Sequence, residues 1–176
     1  MKLSKFFALA AVAAFLLFFL IAFFSFLGYS PFENVLSDLG VGKGSGLWFN
    51  AGVVISGIFL ALFFAAIAKT GLKSRLEKAG AVLGILGSIS LIAVGVFPAS
   101  VEPLHSVASL GFFSFSAISA LALEFPGFKK RKAGFIAALW FALLALAFGL
   151  SSLPILEHAA VLFFGVWLVL FAFWKK

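Results

Sequence analysis

Six stretches of this chain are nearly free of charge and each is close to the roughly 20 residues that a helix needs to cross the hydrocarbon core of a bilayer. They lie near Phe6–Leu27, Leu47–Ala68, Ala79–Phe97, Leu104–Leu123, Ala133–Leu150 and Glu157–Trp174. Of the 176 residues, 64% are hydrophobic and 11% charged, against about 45–50% apolar and about 25% charged in a soluble domain. A chain this short has too little interior to hide that much hydrocarbon from water. The expected fold is therefore all-α: a single membrane domain over residues 1–176, with six transmembrane helices arranged as three hairpins. Lys2 and Lys5 precede the first apolar run as they would in a secretory leader. The run is too long for one, and no small-x-small cleavage site follows Phe26-Leu27-Gly28, so it is read as an uncleaved span.

Orientation follows from the basic residues. Lys2 and Lys5 precede span one; Lys69, Lys73, Arg75 and Lys78 separate spans two and three; Lys129, Lys130, Arg131 and Lys132 separate spans four and five; Lys175-Lys176 follows span six. All these loops fall on one side, leaving Lys43 alone on the other. The positive-inside rule makes the basic side cytoplasmic and places both termini there, in the cell membrane. Glu33, Asp38, Glu102 and Glu157 fall on the outer side, and only Glu77 and Glu124 on the inner. The formal charge of +7 thus describes anchors for anionic lipid headgroups, not a nucleic-acid footprint. Membrane lipids are the expected partners; oligomeric state is not encoded in any pattern here.

Each outer connection carries Gly, Pro and acidic residues: Gly28, Pro31, Glu33 and Asp38; Gly95, Pro98, Glu102 and His105; Gly149, Pro154, Glu157 and His158. Such residues break one helix and start the next. Within the first connection, Ser30 to Glu33 reads as a capping box with Pro31 at the first helical position and Gly40 as a stop. Phe32, Val35, Leu36 and Leu39 would share a face. The expectation is a short amphipathic surface helix with Asp38 near its end.

Small residues mark helix contacts in lipid. Gly80, Gly84, Gly87 and Ser88 place span three against a neighbour, as do Gly52 and Ser56 on span two. On span four His105, Ser109, Phe112, Ser116 and Ser119 fall on one face, which is expected to point into the bundle. The other spans are Phe- and Leu-rich all round and should face lipid. Trp48, Trp167 and Trp174 lie toward span ends, where interface anchors sit.

No ionisable residue lies at the middle of a span, which weighs against ion-coupled transport; the buried ionisable groups are expected at one depth, near the outer face. The chemistry-bearing candidates there are Asp38, His105 and His158, with Ser37, Asn50, Glu102, Glu157 and Ser109 as neighbours by depth. Two imidazoles and a carboxylate would suit an open zinc site that keeps a position for water. Ser37 or Ser109 with a His and Asp38 would instead make a nucleophile, base and orienting group. The structural alternative is that Asp38 ties down the loop while the imidazoles hydrogen-bond locally. Function divides the same way: binding of a lipid headgroup or partner at an outer polar cap, a lipid-directed and metal-dependent intramembrane hydrolase, or, third, a small-molecule transporter.

The segments Asn34-x-x-Ser37-Asp38-Leu39-Gly40, Phe49-Asn50-x-Gly52 and Gly95-x-Phe97-Pro98, with a His opening span four, resemble the domain-of-unknown-function family 998. Its members are small multi-pass membrane proteins, mostly archaeal and bacterial. The resemblance covers most of spans one to four and implies the multi-pass topology. It implies no activity and assigns no catalytic residue.

Overall fold

The computed structural model describes residues 2–69 and 72–174, with Trp174 described by its backbone alone. Lys175, Lys176 and the Trp174 side chain, read above as anchors, lie outside the described residues. Six helices are long and apolar enough to cross a membrane: α1 Lys2–Ser25, α2 Gly46–Lys69, α3 Arg75–Val96, α4 Leu104–Glu124, α5 Lys132–Ser151 and α6 Pro154–Trp174. The described residues include no strand. In hydrocarbon every backbone N–H and C=O must be paired within the segment, which a helix alone achieves for a single span. The protein is a multi-pass membrane protein.

Each helix packs on the next in sequence, and α6 comes back to touch α1 only lightly. Glycines decide how closely the middle helices approach. A Cβ at Gly84 would overlap the ring of Phe64 on α2, and one at Gly87 would meet Ser116 on α4. At Gly95 it would lie 2.7 Å from the Asn50 carbonyl oxygen of α2. Gly80 sits against Ser119, Ala122 and Leu123, and Ser119 Oγ donates to the Gly80 carbonyl at 2.7 Å. Helix α3 is thus clasped on two sides, by α2 and by α4. The expected α4 stripe is present: His105, Phe112, Ser116 and Ser119 are buried and Ser109 half-buried.

Two apolar cores result. The larger one, toward the ends of α2, α4 and α6 that carry Ile67, Leu123 and Phe171, contains Phe63, Phe64, Phe112, Phe141, Phe164 and Trp167. The smaller one holds Ala22, Tyr29, Leu36, Leu39, Phe49 and Val53, beneath the α1–α2 connection. Leu16, Leu17, Leu20 and Phe24 of α1 and Leu139, Trp140, Leu143 and Leu146 of α5 remain exposed, as lipid-facing surfaces do.

Several expectations need correction. Trp167 is no interface anchor: it is 0% exposed, packed against Phe64, Phe164 and Phe171, and α6 contributes to the core on that face. Trp48, at 42% exposed near the start of α2, does sit as an anchor would. Gly95 and Gly149 lie inside helices rather than breaking them; α5 ends instead at Ser152, in the left-handed conformation with φ 55°. Among these outer-connection glycines, Gly28 at φ 85° turns the chain after α1.

Nor do the buried ionisable groups share one depth. At the opposite end of the bundle Glu124 is 0% exposed and Glu77 8%. Glu124 is held by Arg131, whose Nε lies 3.3 Å from its Oε2. Glu77 closes a capping box at the start of α3: its Oε2 accepts from the N–H groups of Lys73 and Ser74, and its own N–H donates to Ser74 Oγ. Partners at hydrogen-bond distance are what make burial of a carboxylate tolerable.

Candidate functional site

The α1–α2 connection is drawn into the bundle rather than laid on its surface. Residues 31–34 form a turn in which the Glu33 and Asn34 N–H groups donate to the Ser30 carbonyl, while Asn34 Oδ1 accepts from the Ser30 N–H at 3.2 Å. No capping box joins Ser30 to Glu33, and Phe32 is 76% exposed. A 3-10 helix, Leu36–Gly40, follows, with Leu36, Leu39 and Gly40 buried. Asp38 stands in the middle of this helix, and its side chain folds back over the helix start instead of marking the end. Its Oδ2 accepts from the Val35 N–H at 3.1 Å and from Asn34 Nδ2 at 3.2 Å, satisfying donors that a helix start leaves open.

Two further ties hold the segment down. Asn50 Nδ2 donates to the Gly40 carbonyl at 2.9 Å, and a Cβ on Gly40 would overlap the Asn50 side chain. Ser45 Oγ donates to the Leu39 carbonyl at 2.7 Å. The Ser-Asp-Leu-Gly segment and Asn50 are therefore one structural unit, with Asn50 as its peg.

Helix α6 supplies the opposing wall. Glu157 Oε2 accepts from the Leu36 N–H at 2.7 Å in a buried bond. His158 Nδ1 lies 2.8 Å from the Pro154 carbonyl, which can only accept, so Nδ1 carries the proton. In the neutral ring Nε2 then accepts, and Tyr29 Oη donates to it at 2.7 Å. Tyr29 Oη also lies 3.2 Å from the Val35 carbonyl. Burial, then the Glu157 and Asp38 carboxylates, push the Tyr29 phenol up from its ordinary value, so it stays a donor.

His105 stands apart from this network. Its Nδ1 donates to the Phe97 carbonyl at 2.8 Å, tying the start of α4 to the end of α3, and Ser109 Oγ approaches its Nε2 at 3.4 Å. Glu102, in the α3–α4 connection, is exposed. The structure thus joins Asp38, Tyr29, Glu157 and His158 through the loop backbone and leaves His105 and Glu102 outside. No three His, Asp or Glu side chains among the described residues are grouped as metal ligands, so the zinc set of Asp38, His105 and His158 is not assembled. Each imidazole is instead bonded to a carbonyl, His105 to that of Phe97 and His158 to that of Pro154.

Below the network runs a cleft of about 560 Å³, lined almost entirely by hydrocarbon. Volumes of roughly 300–1,000 Å³ with a few polar groups are typical of small-molecule sites. Phe15 and Phe19 of α1, Val53 and Leu60 of α2, Phe112 of α4 and Val161 of α6 contribute to its walls. Its polar lining consists of Ser37, Ser109, Glu157 and His158 toward the loop end, with Ser56 deeper along α2. Leu16, Leu162 and Val166, which also line it, are exposed residues of α1 and α6, so the cleft opens toward lipid where those two helices touch lightly. From Glu157 to Leu170 the lining follows α6 for about 20 Å at 1.5 Å per residue.

Sequence reading missed the cleft and two of its determinants. Tyr29, the chain's one tyrosine, was passed over as a loop residue, although a lone phenol next to a helix end is a ready partner for an imidazole. Gly165 lines the cleft where a Cβ would meet nothing within 4 Å. Unlike the packing glycines of α3, it makes space rather than contact, and no local pattern distinguishes the two kinds.

No curated protein and no solved structure matches the chain. A family model described as "Protein of unknown function (DUF998)" matches residues 9–174, and the chain belongs to that family.

Proposed function

We propose that this protein binds a long-chain membrane amphiphile, with the hydrocarbon chain in the cleft between α1 and α6 and the polar end among Ser37, Ser109, Glu157 and His158. The observation that carries this reading is the cleft itself: about 560 Å³ of apolar space, open toward lipid, with its charged and imidazole lining at one end only. An amphiphile in a bilayer has the same polarity along its length. Water in such a space would find few partners except at that end. The hydrolase alternative would need Asp38, His105 and His158 around one water, whereas each makes a hydrogen bond to a different partner.

Gly165→Trp is the direct test. The indole would fill the cleft without displacing a neighbour at its Cβ, and replacing a mid-helix Gly relieves a cost of roughly 0.5–1 kcal/mol. A diazirine-bearing octadecanol added to membranes should crosslink to α1 or α6 in the wild type. The variant should crosslink about ten-fold less, the loss expected of some 1.4 kcal/mol in affinity, with unchanged helicity and elution. Equal crosslinking in the two proteins overturns the reading.

The same reading places the polar end of the cleft at the outer leaflet of the cell membrane and both termini in the cytoplasm, on the strength of the basic loops. The chain has no Cys, so single cysteines report cleanly. Lys43→Cys should react with an impermeant maleimide in intact cells, and Lys73→Cys only after lysis. The reverse pattern would invert the topology.

A further inference from the structure

The polar end of the cleft also constrains the headgroup. Taking as given that the cleft holds an amphiphile, we infer that its ligand is one whose polar end donates hydrogen bonds and carries no negative charge: a long-chain alcohol or amine rather than a phosphate or carboxylate.

The argument is one of charge and open valence. No Lys or Arg lines the cleft. Lys43, the one basic residue of the α1–α2 connection, is exposed and is not part of the lining. The polar end instead has the Glu157 carboxyl in its wall, with the Asp38 carboxylate close enough to act on Tyr29 alongside it. An anionic headgroup there would be desolvated against a carboxyl with no cation to offset it, which disfavours its burial. Protonating Glu157 would remove the repulsion but add no positive charge.

The groups that do face the cleft are mostly acceptors or hydroxyls. Glu157 commits Oε2 to the Leu36 N–H, and no bond to Oε1 is formed among the described residues. His158 is closed to a ligand, because Nδ1 is held by Pro154 and Nε2 by Tyr29. Ser109 has only a long contact to His105, at 3.4 Å. Deeper along α2 lies a further open hydroxyl, that of Ser56. It is 4% exposed, lines the cleft, and its Oγ has no hydrogen-bond partner among the described residues. A buried hydroxyl left without a partner is unfavourable, so this position gains from a ligand or water that reaches it. A hydroxyl at the cleft's polar end would donate to Glu157 Oε1 and accept from, or donate to, Ser109 and Ser37, whereas an ammonium would donate to all three. Charge-assisted bonds are roughly twice as strong as neutral ones, which favours the amine while Glu157 is ionised.

The test uses one chain and four headgroups. Binding of tritiated oleyl alcohol to the full-length protein in neutral detergent is competed with oleylamine, oleyl phosphate and oleate. The alcohol and the amine should bind at least about ten-fold more tightly than the phosphate and oleate. Glu157→Gln, which keeps an acceptor for the Leu36 N–H, should weaken the amine more than the alcohol and so remove the amine's advantage. Oleyl phosphate or oleate binding as tightly as the alcohol, with binding still lost in Gly165→Trp, would overturn the headgroup assignment and leave the cleft reading intact. Absence of any Gly165-sensitive binding for all four would overturn both.

Discussion

Arg131→Ala should destabilise the bundle by about 3–5 kcal/mol, the usual consequence of removing one partner of a buried ion pair. Arg131 reaches back from just before α5: Nε meets Glu124 Oε2 at 3.3 Å, Nη2 donates to the Leu123 carbonyl at 2.9 Å, and the guanidinium lies 5.3 Å from the Phe171 ring centroid. One planar group thus joins the end of α4, the start of α5 and the end of α6. Glu124 is fully buried, and Gly134 on α5 packs against its carboxylate so closely that a Cβ would overlap it. Deprived of the cation, the carboxylate must bind a proton or bring in water, and either loosens the α4–α5 connection. Unfolding of the purified protein in mixed micelles of dodecylmaltoside and SDS measures the loss. The paired variant Glu124→Leu with Arg131→Met separates charge from packing, because apolar residues of similar size often replace such a pair at little cost. If Arg131→Ala unfolds at the same SDS fraction as the wild type, the ion pair contributes nothing to holding the three helices.

Gly84→Leu is the second large effect. The Cβ alone would overlap three carbons of the Phe64 ring, and Phe64 is itself 0% exposed between Phe63 and Trp167. The ring is enclosed by these neighbours, so the new side chain pushes α2 and α3 apart. Overpacking of this kind costs roughly 1–3 kcal/mol and more where the backbone has to shift. The same micelle titration reads it, and Phe64→Ala added to Gly84→Leu should restore part of the stability by opening space for the new side chain. Additive losses in the double variant would show that the two residues do not oppose one another. By contrast, Gly165→Trp should leave the unfolding midpoint close to the wild type, since nothing lies within 4 Å of its Cβ. The contrast separates a glycine that permits contact from one that maintains space.

The spans and their number were legible in the sequence because they answer to local physics, although α1, α3 and α6 start earlier than expected, at Lys2, Arg75 and Pro154. Hydrocarbon length and backbone satisfaction set each helix without reference to the others. The small-residue faces of α3 and α4 were legible for a related reason, since helix periodicity places Gly80, Gly84 and Gly87, or Ser116 and Ser119, on neighbouring turns.

The site was another matter. Asp38 was singled out as a candidate and proved to cap a five-residue 3-10 helix, whereas Glu157, named only as a neighbour, ties that helix to α6 across 121 positions of chain. Trp167 near a span end looked like an anchor because sequence position gives depth but not azimuth; α6 is rotated so that the indole packs inward against Phe64 of α2. The cleft depends on how far α1 stands from α6, a quantity that no residue of either helix encodes alone. By itself, then, the sequence determined a six-span membrane protein and the charge asymmetry between its ends. Which polar groups meet, and where the bundle stays open, was decided only by tertiary packing, because side chains remote in the chain compete for the same few partners in a medium that supplies none.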